Sequence, residues 1–524
     1  MVRPVRMSII ALSAVVVLSA MQIDVSAKKK SSKRKSRAAR SVSVFVMPSV
    51  RPGVPVIITA PTLSPTVPDQ SLVNISASSA QHTSTSLSTP TAATSSGSGT
   101  SGGDSDGKGK ALWSVVPKAP AAGSLIISEY RLTGPNGFED EFIEIYNDSG
   151  ADHTVAASSG TGYAIAASDG IVRCTIPNGT VIPARGHFLC VNSDGYSLAT
   201  YPAGNGTTAT GDATYTTEIT DGEDPDGMGG NPPLARQGIA LFNNNSGGGN
   251  FTLANRFDAV GPTSESNTLY REGTGLPNLT PFAINYSWLR DTCGKGGAVN
   301  LLGPCTISTP KDTDVNSADF YFVDTNGTSA GGGQRLGAPG PENLSSPIQR
   351  NSTITENLLD ATVLRSSPPN RVRDFTGDAP NNSTFGTLSI RRRFVNNTGA
   401  NVTRLRFRII DLDTFPAASS FADMRARTSS AVVVAGINDS VTCAATGAPA
   451  TPPCTVTVQG TTLDVATAPS TGQPNGGGFN SSLSAGTVTL GTPLANGASI
   501  NLQFLFGLQQ TGSFRVYVNV EALP

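Results

Sequence analysis

Five carboxylates fall between Glu129 and Glu144 in the stretch SLIISEYRLTGPNGFEDEFIEIYNDSG (124–150), and four of them sit within residues 139–144. Carboxylates this dense can serve as a general acid and base, or hold a cation, if two of them aim at one point roughly 5–9 Å apart. Alternation in DEFIEIYN (140–147) predicts a strand with Glu141, Ile143 and Ile145 on one face and Phe142, Glu144 and Tyr146 on the other. Glu141 and Glu144 then point apart, so this strand alone does not build a dyad. In the strand before it, Leu125 and Ile127 are expected on one face, and Ile126, Ser128 and Tyr130 on the other. GPNG (134–137) supplies the turn.

DTDVNSAD (312–319) opens like a calcium loop, with Asp312, Asp314, Asn316 and Asp319 as oxygen ligands. Its sixth position is Ser317 and its twelfth is Val323, so it is not an EF-hand. Asx turns, in which the side chains bond nearby backbone amides, explain the same residues. Asp221, Glu223, Asp224 and Asp226 form a second oxygen-rich loop with the same two readings. Calcium is thus the one cofactor raised. His82, His153 and His187 are the only histidines, and neither His153 nor His187 adjoins a nucleophile signature. That argues against a Ser-His-Asp or Cys-His centre and against zinc sites with two or three histidines. No catalytic residue is assigned.

FGTLSIRRRFVNNTGANVTRLRFRIIDLDT (385–414) reads as a β-hairpin looping at NNTGAN. Leu388, Ile390 and Phe394 share a face with Arg392, and Leu405, Phe407 and Ile409 form the matching face. Arg391 and Arg393 stand on one strand, and Arg404, Arg406 and Arg408 on the next. If the two sets share a face, the five guanidiniums destabilise the sheet unless anions neutralise them. Asp374, Asp378, Asp411 and Asp413 are internal candidates. The alternative is an anionic ligand, which makes the five arginines a candidate anion-binding face.

The elements that must carry these groups are short strands. Among 524 residues there are 56 glycines and 36 prolines, and only 14% are charged, which suits many strands and turns. No heptads or long 3.6-residue stripes argue for helices. Further strands are expected at GYAIAA (162–167), GIVRCTI (170–176), HFLCVN (187–192), GIALFNN (238–244), RFDAVG (256–261), SAVVVAGI, CTVTVQGTTLDVAT, GTVTLGT and the closing SINLQFLFGLQQTGSFRVYVNVEALP. Aromatic residues are 6%, with Trp113 and Trp288 the only tryptophans, which gives little support for a sugar-stacking platform.

Residues 1–27 read as an export signal: Arg3 and Arg6, the apolar SIIALSAVVVLSAM, then small residues before a cut after Ala27. The apolar run is shorter than the roughly 20 residues of a membrane span, and no other segment is expected to be long enough to span. Residues 28–40 carry eight basic side chains, which resist translocation and leave a retained anchor as the alternative. Residues 1–40 sum to +9 and the whole chain to −1, so a basic arm precedes a mildly acidic body. Such an arm binds anionic lipid, envelope polymer or nucleic acid by charge alone. Residues 41–120 are a Ser/Thr/Pro-rich stalk with too few large apolar groups to fold. Cys174 and Cys190, Cys293 and Cys305, and Cys443 and Cys454 form three local couples with no zinc spacing. With an export signal, three disulfides are expected.

The run LIISEYRLTGPNGFEDEFIEIYND, followed in order by IPARGHFLCVN, GIALFNN, RFDAVG, SWLRD and DTDVNSADF, resembles a bacterial lamin tail domain. The match covers residues 121–333, about 40% of the chain, and departs in long insertions around 195–235 and 262–280. The resemblance implies an immunoglobulin-like β-sandwich in an exported protein. There is no lamin-like rod, so a nuclear-lamina role is not implied. Residues 334–524 form a second β-sandwich of no recognised family. The whole is therefore expected to be an all-β, secreted or surface-attached, non-enzymatic binding or structural protein that contacts protein or an anionic envelope polymer. The alternatives are an accessory region of an extracellular metal-dependent nuclease or phosphatase, which such domains resemble, and a nucleic-acid binder acting through residues 28–40.

Overall fold

The computed structural model describes residues 125–197, 210–220, 237–277, 284–292, 310–325, 335–415, 417, 420–445, 451–464 and 478–524. The export signal, basic arm, stalk, His82, Trp113, the acidic loop 221–226 and the Cys293 and Cys305 couple lie outside these residues. The chain divides into residues 1–67 and 68–524, and every described residue belongs to the second unit.

The first sandwich is built around strands Leu125–Arg131 and Phe142–Asn147, antiparallel neighbours at the centre of a seven-stranded sheet. Tyr286–Arg290, Phe320–Asp324 and Arg335–Leu336 extend the sheet on one side, and His187–Asn192 and Ala213–Tyr215 on the other. A four-stranded sheet, ordered Arg256–Val260, Ile239–Phe242, Gly162–Ala167 and Val172–Pro177, covers one of its faces. Leu125, Ile127, Ile143, Ile145 and Phe188 meet Ile165, Ile176, Ile239 and Leu241 in one core, as their alternation requires. The Cys174–Cys190 disulfide joins the two sheets.

One expectation fails inside the opening strand. A β-bulge falls between Ile127 and Glu129, where the pairing jumps from Ile127↔Ile145 to Glu129↔Glu144. The extra residue reverses the facing of everything after it. Tyr130 therefore packs into the core with Leu125 and Ile127, instead of sharing a face with Ile126.

The second sandwich stacks two five-stranded sheets. One runs Ile348–Gln349, Val516–Leu523, Arg404–Leu412, Ser482–Ser484 and Thr462–Asp464. The other joins Ile354–Leu358, Thr387–Asn396, Ser499–Gln510 and Asp423–Arg427, with Arg371–Asp374 also pairing Thr387–Asn396. The expected hairpin is thus corrected: Thr387–Asn396 and Arg404–Leu412 lie in opposite sheets. The inward faces were read correctly, because Leu388, Ile390 and Phe394 meet Leu405, Phe407 and Ile409 in one core. Alternation marks which side of a strand is buried, and that side is the same whether the mate lies beside it or about 10 Å across the core. GTVTLGT (486–492) forms no strand. Thr489 and Thr492 close it into a turn that leaves Leu490 exposed. A separate ribbon pairs Val432–Ile437 with Cys454–Val458, and the Cys443–Cys454 disulfide anchors the short helix Ser440–Ala444 to it.

Candidate functional site

The outer face of the seven-stranded sheet does not meet solvent at its centre. It lies against the outer face of the Arg404–Leu412 and Val516–Leu523 strands of the second sandwich, and the layer between them is ionic. From the first sandwich come Ser128, Glu129, Glu144 and His187, and from the second Arg406, Arg408, Asn480 and Glu521. Glu342 comes from the connection between the sandwiches. All are less than a tenth exposed. The sequence places them there by simple parity. Leu405, Phe407 and Ile409 fill the core, so Arg406 and Arg408 face out; Val518 and Val520 fill it, so Glu521 faces out. Arg406 and Glu521 are then direct neighbours in strand register.

The hydrogen bonds divide this layer unevenly. Glu521 accepts from Arg406 Nε at 2.5 Å and from Arg408 Nε at 3.0 Å. Glu342 pairs with Arg406 Nη2, and with Arg408 Nη2 at 3.4 Å. Glu129 accepts from the Gly340 amide at 3.0 Å and from Asn480 Nδ2 at 2.9 Å. Glu144 accepts from the Ser128 hydroxyl and from the Glu342 amide, the latter at 2.6 Å. Four carboxylates thus share two guanidiniums, and both of Glu144's hydrogen-bond donors are neutral.

Burial pushes the Glu144 carboxyl well above the usual range, and the Glu129 charge adds to the rise. Burial also raises Glu129, against hydrogen bonds from Ser287, Gly340 and Asn480. His187 is driven well below its ordinary value by burial and by Arg408 and Arg406, so its ring is neutral. Its Nε2 lies 3.3 Å from Glu342 Oε2 and 3.8 Å from Glu144 Oε1, while its buried Nδ1 has no hydrogen-bond partner. A cleft opens onto this layer, lined by Glu129, Glu144, His187, Glu342, Arg408 and Glu521 among others.

Glu141 points elsewhere, as its parity predicts. It accepts from Asn192 Nδ2 at 2.9 Å and the Ile219 amide at 2.7 Å, and burial lifts it to about 8. The carboxylates that come together are therefore Glu129 and Glu144, one from each strand.

The calcium candidates have separate roles. Asp312 pairs with Arg290 at 3.2 Å. Asp314 adopts a left-handed backbone, φ 56°. Asn316 accepts from the Gly261 and Glu272 amides at 3.1 and 3.0 Å and donates to the Ala259 carbonyl at 2.8 Å, pinning its loop to the Arg256–Val260 strand. Asp319 accepts from the Thr313 amide and hydroxyl at 2.8 and 2.7 Å, which is the Asx-type role. Arg290 also pairs with Asp258 at 2.5 Å, with both side chains fully buried, and this locks the two sheets of the first sandwich. Burial, with the Asp258 and Asp312 charges, lifts neighbouring Glu272 to about 10.

The five arginines do not form one face. Arg391 and Arg393 point outward from one sheet of the second sandwich, and Arg404, Arg406 and Arg408 outward from the other. Arg391 reaches Gln503 at 3.4 Å and Arg393 reaches Thr442 at 3.1 Å, while Arg404 is exposed. Arg406 and Arg408 meet Glu521 and Glu342, not Asp411 or Asp413, which face Arg515. Arg392 is buried and pairs with Glu356 at 2.6 Å. His153 lies 3.2 Å from the Tyr163 hydroxyl in the first sandwich.

Sequence reasoning missed Glu342, Asn480 and Glu521. Outward Arg and Glu on Arg404–Leu412 and Val516–Leu523 carried a signal of opposite charge. Only the correct strand pairing turns it into an ion pair.

Fold and site together define an all-β protein of two sandwiches joined through a buried ionic layer. No family model and no curated protein matches the chain. Among solved structures, a DUF4876 family protein from Bacteroides thetaiotaomicron is similar at 14% identity, over 38% of this chain and 71% of that one, with a TM-score of 0.23. At that score the likeness carries no argument about fold or function. Among the described residues, no helix is long and apolar enough to cross a membrane.

Proposed function

We propose that this chain is a non-enzymatic, extracytoplasmic binding or structural protein, with a lamin tail-type, immunoglobulin-like first sandwich and a basic arm that contacts an anionic envelope polymer. The observation that supports it most is the engagement of its reactive-looking groups with one another. Glu129, Glu342, Glu521, Arg406 and Arg408 bond across the joint between the sandwiches. Such a layer holds two β-sandwiches as one body and leaves their loops to meet a protein or polymer. The Cys174–Cys190 and Cys443–Cys454 bridges fit an oxidising compartment.

The test pairs a binding assay with a turnover assay on the full chain. The reading expects retention on isolated envelope material that weakens steeply with salt and is lost when residues 28–40 are deleted. It also expects no hydrolysis of phosphodiester or phosphomonoester substrates with magnesium, calcium or zinc. Absence of retention, or turnover abolished by Glu144→Gln, overturns it. Retention on DNA that exceeds retention on envelope material would favour the nucleic-acid alternative.

A further inference from the structure

We propose that Glu144, His187 and Glu342 form a binding site for a divalent transition-metal ion of the zinc class, which pins the connection between the sandwiches to the first sheet. One carboxylate oxygen or ring nitrogen from each of the three lies within 4.8 Å of the other two. His187 Nε2 stands 3.3 Å from Glu342 Oε2 and 3.8 Å from Glu144 Oε1. A tetrahedral ion with ligands at 2.0–2.2 Å sets its ligand atoms roughly 3.3–3.6 Å apart. The two separations from His187 bracket that edge, and the ligand atoms of all three residues lie close enough to share one ion. The fourth position falls to water from the adjoining cleft, which all three residues line.

Two independent observations point to a cation. The first is charge. Four buried carboxylates, Glu129, Glu144, Glu342 and Glu521, meet two guanidiniums, Arg406 and Arg408, and both guanidiniums bond Glu342 and Glu521. The hydrogen-bond donors of Glu144 are a hydroxyl and an amide. The second is His187. Its ring is about nine-tenths buried and makes no hydrogen bond at Nδ1, so Nε2 is the nitrogen through which it meets its neighbours. Its Nε2 is turned toward the gap between the two carboxylates.

The donor set selects the ion. One imidazole and two carboxylates suit zinc and related ions, whereas calcium takes six to eight oxygens and magnesium keeps an octahedral water shell. The surrounding groups match an outer shell: Ser128 orients Glu144, and Arg406 and Arg408 orient Glu342. Glu144 and His187 belong to neighbouring strands of the first sandwich, whereas Glu342 lies on the connection and pairs with the second. An ion here would therefore act as a staple between the two bodies.

The experiment is zinc titration of the EDTA-stripped full chain by calorimetry and thermal melting, with the zinc-edge X-ray absorption spectrum of the loaded protein. One saturable site is expected. The melting midpoint should rise by about 5 °C when zinc exceeds Kd about a hundredfold. The spectrum should show a nitrogen and oxygen shell without sulfur. His187→Gln and Glu144→Gln should each weaken binding at least about tenfold, while Asp312→Asn should leave it unchanged. Absence of a saturable site, a sulfur-containing or all-oxygen shell, or binding that survives both His187→Gln and Glu144→Gln overturns the proposal. If those variants fail to fold, the wild-type spectrum alone decides, because it requires one imidazole in the shell.

Discussion

Glu129 and Glu144 stand directly opposite each other across two antiparallel strands, and the bulge at Ser128 places both on the sheet face that meets the second sandwich. Like charges in this position oppose pairing unless each finds donors. Glu129 finds them in Gly340 and Asn480, and through Asn480 it reaches the second sandwich.

Glu129→Ala should therefore destabilise the folded chain by ~2–4 kcal/mol, since it strands two buried donors. Glu129→Gln keeps one acceptor, so it satisfies Gly340 or Asn480 but not both, and it should cost less than the Ala variant. Urea denaturation of both variants checks this. An Ala variant as stable as the Gln variant would refute the bond's role.

Arg406 and Glu521 supply a second test of the joint. Arg406→Ala leaves Glu521 and Glu342 buried beside a single guanidinium, and should cost ~3–5 kcal/mol. Adding Glu521→Gln to Arg406→Ala should recover part of that loss. The double-mutant cycle measures the coupling, and a value near zero would show that the two side chains act independently.

Removing the bridge between the sheets of the first sandwich, by Cys174→Ser with Cys190→Ser, opens a loop of sequence separation 16. The chain-entropy model puts the loss at ~3 kcal/mol. Non-reducing mass spectrometry should show the wild-type bridge, and thermal melting of the double variant should show the loss.

Glu141 sets a pH dependence. Burial raises it to about 8 from an ordinary value near 4.5. The folded state then holds this proton more tightly than the unfolded state. Its contribution is complete below the ordinary value and disappears as pH rises toward 8, on the order of 3–5 kcal/mol in all. Urea midpoints should fall between pH 5 and pH 8.5. Glu141→Gln should flatten that fall, and an unchanged slope would remove Glu141 as its source.

Much of the fold was legible from alternation. The strands at 162–167 and 187–192 were read to the residue, because each is a short, mostly apolar run bounded by turn-forming glycine, serine and aspartate. Alternation separated Glu141 from Glu144. It failed at Tyr130, where one added residue in the bulge flips the facing with no composition signal. It also failed for Thr387–Asn396 and Arg404–Leu412, where two good strands and a turn-rich loop look alike whether the chain folds back within a sheet or crosses to the opposite one. In 312–319, Asp319 bonds the Thr313 amide and hydroxyl, and oxygen-rich loops that bind ions and those that bond their own amides share one vocabulary.

By itself, the sequence determined that this is an all-β chain, which side of most strands is buried, and which cysteines lie near enough in the chain to bridge. Those properties depend on short-range periodicity and loop length. The ionic layer was decided by tertiary structure alone. Glu129, Glu144, His187, Glu342, Arg406, Arg408 and Glu521 come from segments up to several hundred residues apart, and each reads locally as an outward, solvated side chain. They become buried partners only because one sandwich covers the outer face of the other, and no local pattern encodes that packing.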